Sequence, residues 1–452
     1  MVEGPFSGRS INEVAARLRD GSTDPVRLVE EVLHAAQASQ ASLNAFVTLS
    51  SELAMREATR ARDELAGGKD RGLLHGMPVA VKDIVDTAGI TTTMGSRHFS
   101  TNVPSRDAEV VIRLREAGAI VVGKTTTHEF AFGPTGDRAA NGPCANPHDT
   151  SRMAGGSSAG SAAAVGAGIV PFAVGTDTGG SVRIPAALCG VVGIRPTMGL
   201  VPTDGVFPLA WSLDTVGVLA NDVAGTAAAW RVLADAPGQA TPPPPVETLR
   251  FGHVTGSWFE RLDDVVRARF DGLTQMLVSR AAQVQPVTVP DAEELRARYA
   301  TVQLVEALAI HQDRMAAAPE LFDPEVLQRL QAAVDIPAVA YASELRNLAR
   351  VRSTAGDRLA GYDVLVLPTV PVLAPPLGAR DADIGGGWTS PRDALLAHNA
   401  LWGALGLPAV SVPIPNPGGL PVGVQLVGRP GGDAELLAIA QTVESLLRAR
   451  TI

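Results

Sequence analysis

Lysine is almost missing from this 452-residue chain. Of its 38 basic residues 35 are arginine, and the lysines are Lys69, Lys82 and Lys124. Arginine keeps its charge in proteins, whereas lysine can lose a proton when desolvated. A chain that solvates itself with arginine and keeps lysine at a few places therefore points to amine chemistry there. Lys69 lies in the polar loop AGGKDRG and needs only water, but Lys82 and Lys124 lie beside apolar strands. Cysteine is scarce too: Cys144 and Cys189 form no CxxC, which excludes a disulfide framework and leaves two buried or semi-buried thiols. A basic excess is also missing. The net charge of −9 and pI near 5.5 argue against a nucleic-acid partner. Long hydrophobic runs are absent. The longest, such as SAAAVGAGIVPFAVG, are rich in Ala and Gly and broken by Pro171, so they read as core segments and no membrane partner is expected. The N-terminal stretch has neither a basic nor an apolar signal region, which predicts a cytoplasmic protein. The eight histidines are scattered without HExxH, and His128 and Glu129 are adjacent, pointing apart on a strand. No metal and no cofactor are expected.

Residues 10–66 read as helices, with Ser10 and then Asp24 and Pro25 as start signals. Residues 77–86 alternate like a strand, which puts Lys82 on one face with Ala80 and Ile84. An amphipathic helix over 107–118, the strand AIVVG, a helix of small residues in SAGSAAAVGAG and the strand IVPFAVGTD follow. Residues 256–360 read as mostly helical, and late strands lie in YDVLVLPTVPV, LPAVSVPIP and GGLPVGVQLVG. These predict an α/β protein, a single large domain over 1–452 whose sheet is assembled from both ends of the chain. The Pro-rich segment 235–249 reads as a surface connector.

Two motifs mislead. GAIVVGKT, Gly118 to Thr125, fits GxxxxGK[ST], but the four intervening residues look like a buried strand, and a helix precedes them, so no phosphate cradle forms. GSSAG, Gly156 to Gly160, fits the GxSxG of an α/β-hydrolase esterase with Ser158 as nucleophile, but a polar loop precedes it where a strand is needed.

Two serines in glycine-rich loops make better sense. Ser181 follows Thr178, Gly179 and Gly180, a turn able to aim backbone N–H groups at a developing oxyanion. Lys82, in an apolar setting that disfavours its ammonium, is the candidate base. Ser157 can relay between them, since a hydroxyl donates to one partner while accepting from another.

The stretch AGGSSAGSAAAVGAGIVPFAVGTDTGGSVRIPAALCGVVGIRPT, with LHGMPVAVKDIVDTAGI, LREAGAIVVGKTTTHEFAFG and NPHDTSRMAGGSS, closely resembles the signature of the amidase signature family. The likeness covers about 70–220, the signature core, and recurs in the late strands. It implies that family's fold, a mixed central sheet with helices on both faces. It also implies a Ser–cis-Ser–Lys triad of Ser181 as nucleophile, Ser157 as middle serine after a cis Gly156–Ser157 bond, and Lys82 as base. An oxyanion hole from Thr178, Gly179, Gly180 and Ser181 is implied as well, as is an acyl pocket near Ala131, Phe132 and Gly133. Lys124 matches a non-catalytic position.

The expected activity is hydrolysis of an amide, hydrazide or ester through a seryl acyl-enzyme, releasing ammonia or an amine. The partner is a small-molecule amide, and a homodimer is allowed. HEFAF and NALWGALGLP suggest an apolar or aromatic acyl group. The alternative is the glutamine-hydrolysing A subunit of a tRNA-dependent amidotransferase, which works inside a complex. Such subunits typically read SIRQPA where this chain reads SVRIPA, with Ile184 in place of Gln. A degenerate scaffold is the third reading, and the presence of all three triad residues opposes it.

Overall fold

The computed structural model describes residues 3–236, 238 and 240–449. Eleven strands form one mixed sheet: β1 (Phe46–Leu49), β2 (Pro78–Lys82), β3 (Ile120–Thr125), β4 (Phe172–Thr176), β5 (Val192–Arg195), β6 (Val216–Ala220), β7 (Arg250–Thr255), β8 (Gln283–Thr288), β9 (Val364–Pro368), β10 (Ala409–Ile414) and β11 (Val422–Val427). Their order across the sheet is β1-β3-β2-β4-β6-β5-β10-β11-β9-β7-β8. Strands from both ends of the chain share this sheet, and β10 pairs antiparallel with both β5 and β11. Every residue of β2, β3, β4, β6 and β9 is buried. That burial explains runs such as PVAVK and VGVLA, because strands covered on both faces by helices need apolar residues at every position.

The connector 235–249 is no boundary between sheets, since β1–β6 before it and β7–β11 after it belong to the same sheet. Val246–Thr248 makes a single 3₁₀ turn with Val246 buried. The hydroxyl of Thr442 donates to the Pro244 carbonyl at 2.7 Å, tying the connector to the C-terminal helix Asp433–Ala449. Pro237 and Gln239 of this segment lie outside the described residues. Two strands depart from the sequence reading. β1 interrupts the stretch read as helices, and β8 falls inside 256–360 with most of its residues exposed, so it carries little of the apolar signal that marks a strand.

The placement of the site follows from three parallel neighbours. β2 pairs in parallel with β3 on one side and with β4 on the other, so their carboxyl ends reach the same edge of the sheet. In open α/β sheets, ligands bind outside the carboxyl ends of such strands. Lys82 ends β2, Thr125 ends β3 and Thr176 ends β4. β2 stops at Lys82 rather than running on to 86, because the chain turns there, with Val85 N–H donating to the Lys82 carbonyl at 3.0 Å. The loops after β3 and β4 supply residues 126–133 and 177–182.

Among the described residues no helix is long and apolar enough to cross a membrane, and no group of three or more His, Cys, Asp or Glu could hold a metal ion. Cys144 and Cys189 are both free and buried. GAIVVGKT is β3 itself with Gly118 and Ala119 before it, a buried strand with no phosphate cradle.

Candidate active site

The β2–β4 register sets Val81 opposite Val174, which brings Lys82 beside the end of β4. Its ammonium nitrogen Nζ donates to Ser157 Oγ at 2.6 Å and to Thr176 Oγ1 at 2.7 Å. Lys82 is fully buried. Burial pushes its pKa down to about 7, against the opposing pull of the Asp214 and Asp177 carboxylates. An amine in this state can accept a proton near neutral pH, which a surface lysine cannot.

Ser157 follows a cis Gly156–Ser157 peptide. Its carbonyl accepts the His128 N–H at 3.1 Å, and Ser158 N–H donates to the Ser181 carbonyl at 3.2 Å, so the two serine loops are tied together. The helix Ala159–Gly166 begins at once, and its small side chains let it lie close on β4 and β2. Ser181 is 8 % exposed, and among the described residues its hydroxyl makes no hydrogen bond. It is thus the serine of the pair that is open to a reactant. Ser158 is fully buried, donates to the Thr176 carbonyl at 3.3 Å and accepts the Thr176 N–H at 3.2 Å. Its hydroxyl is engaged in holding β4, which weighs against the GxSxG reading.

The turn after β4 is built around Asp177. This fully buried carboxylate accepts from Gly180 N–H at 2.8 Å, Val182 N–H at 3.2 Å and the Arg183 guanidinium at 2.8 and 2.9 Å, with Arg195 at 3.3 Å. Burial alone would raise its pKa, but the Arg183 and Arg195 charges hold the carboxyl well below its usual range. Gly180 has φ 129°, a region favouring glycine. Its N–H is committed to Asp177, so of the four amides expected to face an oxyanion it is the one not offered. Those of Thr178, Gly179 and Ser181 have no partner among the described residues. A Cβ on Gly179 would collide with the Tyr299 hydroxyl, which closes over the turn from the helix Ala292–Ala317.

Removing the Asp177 charge leaves two buried guanidiniums without a counter-ion. Asp177→Asn is therefore expected to destabilise the fold by about 3–5 kcal/mol, the range for breaking one side of a buried pair. Denaturant unfolding measures it, and an unchanged midpoint would mean that the turn does not depend on this carboxylate.

Other expected residues divide. Ala131 lines a small cavity against Thr176 and Thr178. Phe132 faces the Arg329 guanidinium, 5.2 Å from its ring, and Gly133 lies against the His128 ring; neither lines that cavity. Trp402 of NALWGALGLP is fully buried in the core with Leu365 and Leu401, so this segment gives the pocket no aromatic wall. Lys124 is fully buried, and its Nζ bonds the Val85 carbonyl and Thr87 Oγ1, clamping the turn that follows Lys82. Thr176, Asp177, Asp214 and Tyr299 are not singled out by any motif. Thr176 and Asp177 do fall where strand periodicity gives way to the glycine turn, and that junction is the signal that could have found them. Asp214 accepts from Thr178 Oγ1 at 2.6 Å and is joined to the turn only by folding.

A family profile described as Amidase matches residues 27–437. AtzE, a 1-carboxybiuret hydrolase component from Pseudomonas sp. (strain ADP), is 34% identical, covering 97% of this chain and 98% of its own. The A subunit of the glutamyl-tRNA(Gln) amidotransferase of Symbiobacterium thermophilum is also 34% identical, covering 95% and 94%. The crystal structure of an amidase superposes with a TM-score of 0.89 at 36% identity, covering 98% of this chain and 99% of that one. With a match over nearly its whole length, and with relatives of that identity end to end, this chain belongs to the amidase (amidase signature) family and is an enzyme of amide C–N bonds.

Proposed function

We propose that this chain is a free-standing amidase that cleaves a small acyl amide through a seryl acyl-enzyme. Ser181 Oγ attacks the carbonyl carbon while its proton passes by way of Ser157 to the neutral Lys82 amine. The unpaired amides of Thr178, Gly179 and Ser181 receive the oxyanion. The proton returns through Ser157 to the departing nitrogen, which leaves as ammonia or an amine. Water then attacks the acyl-enzyme with the same pair as base, and the acid is released. The observation that carries this reading is the 2.6 Å contact of a fully desolvated Lys82 with Ser157, whose loop is bonded to the Ser181 carbonyl. Among the described residues the Ser157 and Ser181 hydroxyls are not hydrogen-bonded to each other, and catalytic hydrogen bonds commonly tighten only in the complex.

The second reading, a glutamine-hydrolysing component of an amidotransferase, is favoured by the 34% identity to the Symbiobacterium protein. Ile184 weighs against it. This side chain is fully buried in an apolar cluster with Leu188, Val370 and Leu395, where a glutamine amide would need partners. The purified chain is expected to release ammonia or amine from small amides with neither ATP nor a second protein. Glutamine cleavage that appears only when a second protein is added would favour the second reading instead.

A further inference from the structure

One cavity lies directly against the machinery above. It measures about 50 Å³ and is bounded by Ile84, Ala131, Thr176, Phe207, Leu209 and Trp211. Thr176 is the residue whose hydroxyl takes the second Lys82 hydrogen bond, and the cavity also touches Thr178, whose amide is unpaired. Of the turn 178–181 Thr178 lines the cavity, so a carbonyl group seated at the Thr178 end of the turn would have this space for the substituent on its carbon. Trp211 is 55% exposed, so the space reaches solvent beside it.

The walls are mostly apolar, and the one carboxylate is satisfied by the protein. Asp214 accepts from Thr178 Oγ1 and from the N–H groups of Leu209 and Ala210 at 2.9 and 3.0 Å. Among the described residues no cationic side chain lines the cavity. An anionic acyl group would meet Asp214 without a counter-charge, and a cationic one would have to compete for lone pairs already engaged.

Size decides the rest. A cavity needs about 10–15 Å³ by this measure to hold one water, and an engineered cavity of about 150 Å³ is what accommodates benzene. The enclosed space suits a group of a few carbons, and a phenyl ring would have to extend past Trp211 into solvent. Phe207 forms one of its walls. The Phe207 N–H donates to the Ile84 carbonyl at 2.8 Å, and Val206 bridges to Val85, so the loop is fixed to the turn that follows Lys82. The Phe207 ring packs 5.4 Å from Phe99, 5.6 Å from Phe130 and 5.7 Å from His311, measured between centroids. These neighbours restrain a half-buried ring against moving aside for a longer chain.

We propose that this cavity is the acyl subsite and that Phe207 determines its length, so that the enzyme selects amides of short aliphatic acids and rejects aromatic ones. This rests on Ser181 being the acylated residue. The test is kcat/KM of the full chain for acetamide, propionamide, butyramide, hexanamide and benzamide, in wild type, Phe207→Leu and Phe207→Ala. Wild type is expected to peak at propionamide or butyramide and to fall by about tenfold or more for hexanamide and benzamide, as a filled pocket discriminates per methylene. Phe207→Ala is expected to raise the benzamide-to-propionamide ratio by about tenfold, with Phe207→Leu shifting the optimum towards hexanamide and standing in if the alanine variant does not fold. A wild-type profile that is flat or best for benzamide, or a ratio unmoved in the folded variants, overturns the subsite and leaves the seryl reading intact. If no amide in the series is cleaved while a fluorophosphonate still labels Ser181, the substrate class is wrong. If Ser181 is not labelled either, the underlying reading fails.

Discussion

Ser181→Ala is expected to reduce amide hydrolysis to background, a loss on the order of 10⁶-fold in kcat if the three residues act as a unit. The expectation comes from exposure and hydrogen bonding together. Ser157 is fully buried and accepts from Lys82, Ser158 is fully buried and bonded to both backbone groups of Thr176, and Ser181 alone of the three is partly exposed with an unspent hydroxyl. It is also the serine beside unpaired amides. A fluorophosphonate should add one covalent mass to the chain, and peptide mapping should place it on Ser181. The Ser181→Ala protein should take up none while unfolding at the same denaturant concentration as wild type. A label recovered on Ser158 would reverse the assignment and revive the GxSxG reading.

The second large effect concerns charge against basicity at Lys82. Lys82→Arg is expected to be nearly as damaging as Lys82→Ala. Guanidinium keeps a positive charge but has no lone pair to accept a proton, and it does not deprotonate in proteins. Loss of a general base typically costs about 10²–10⁴-fold in rate, and more where residues act as a unit. The pH dependence has a fixed sign. Burial lowers the Lys82 pKa to about 7, so the neutral amine dominates above that value and the ammonium below it. The acid limb of kcat should therefore fall as pH drops through about 7, and substitution of Asp214, whose carboxylate raises the Lys82 pKa, should shift that limb downward. Lys124→Arg provides the contrast. Lys124 clamps the turn after β2 through Val85 and Thr87, so its replacement is expected to cost stability more than turnover. Retention of most of the wild-type kcat by a folded Lys82→Arg enzyme would show Lys82 to be a cation rather than a base.

The legible parts of this protein are those with a local physical cause. A glycine pair before Ser181 marks a turn because glycine tolerates positive φ, and Gly180 has it. The run SAGSAAAVGAG marks a helix that packs closely because its side chains are small, and Ala159–Gly166 is that helix. Continuous apolar runs mark central strands, as in β3 and β4. The scarcity of lysine singles out Lys82 and Lys124, and both are fully buried beside the sheet edge. β8 escaped because a mostly exposed strand carries no such apolar signal.

What the fold alone decided depends on distances across the sheet. Lys82 meets Ser157 and Thr176 across 75 and 94 residues because β2 and β4 lie parallel in one particular register, and no local pattern encodes that pairing. The depressed Lys82 pKa is a property of burial, which exists only once both neighbouring strands and their covering helices are in place. Commitment of the Gly180 amide to Asp177 required the carboxylate's orientation, not its presence. The cavity walls come chiefly from 203–216, Ile84 and Ala131, while the aromatic residue of NALWGALGLP is turned into the core. Turn chemistry and side-chain periodicity act between neighbours in the chain, whereas desolvation, proton affinity and cavity shape are set by groups that only tertiary packing brings together.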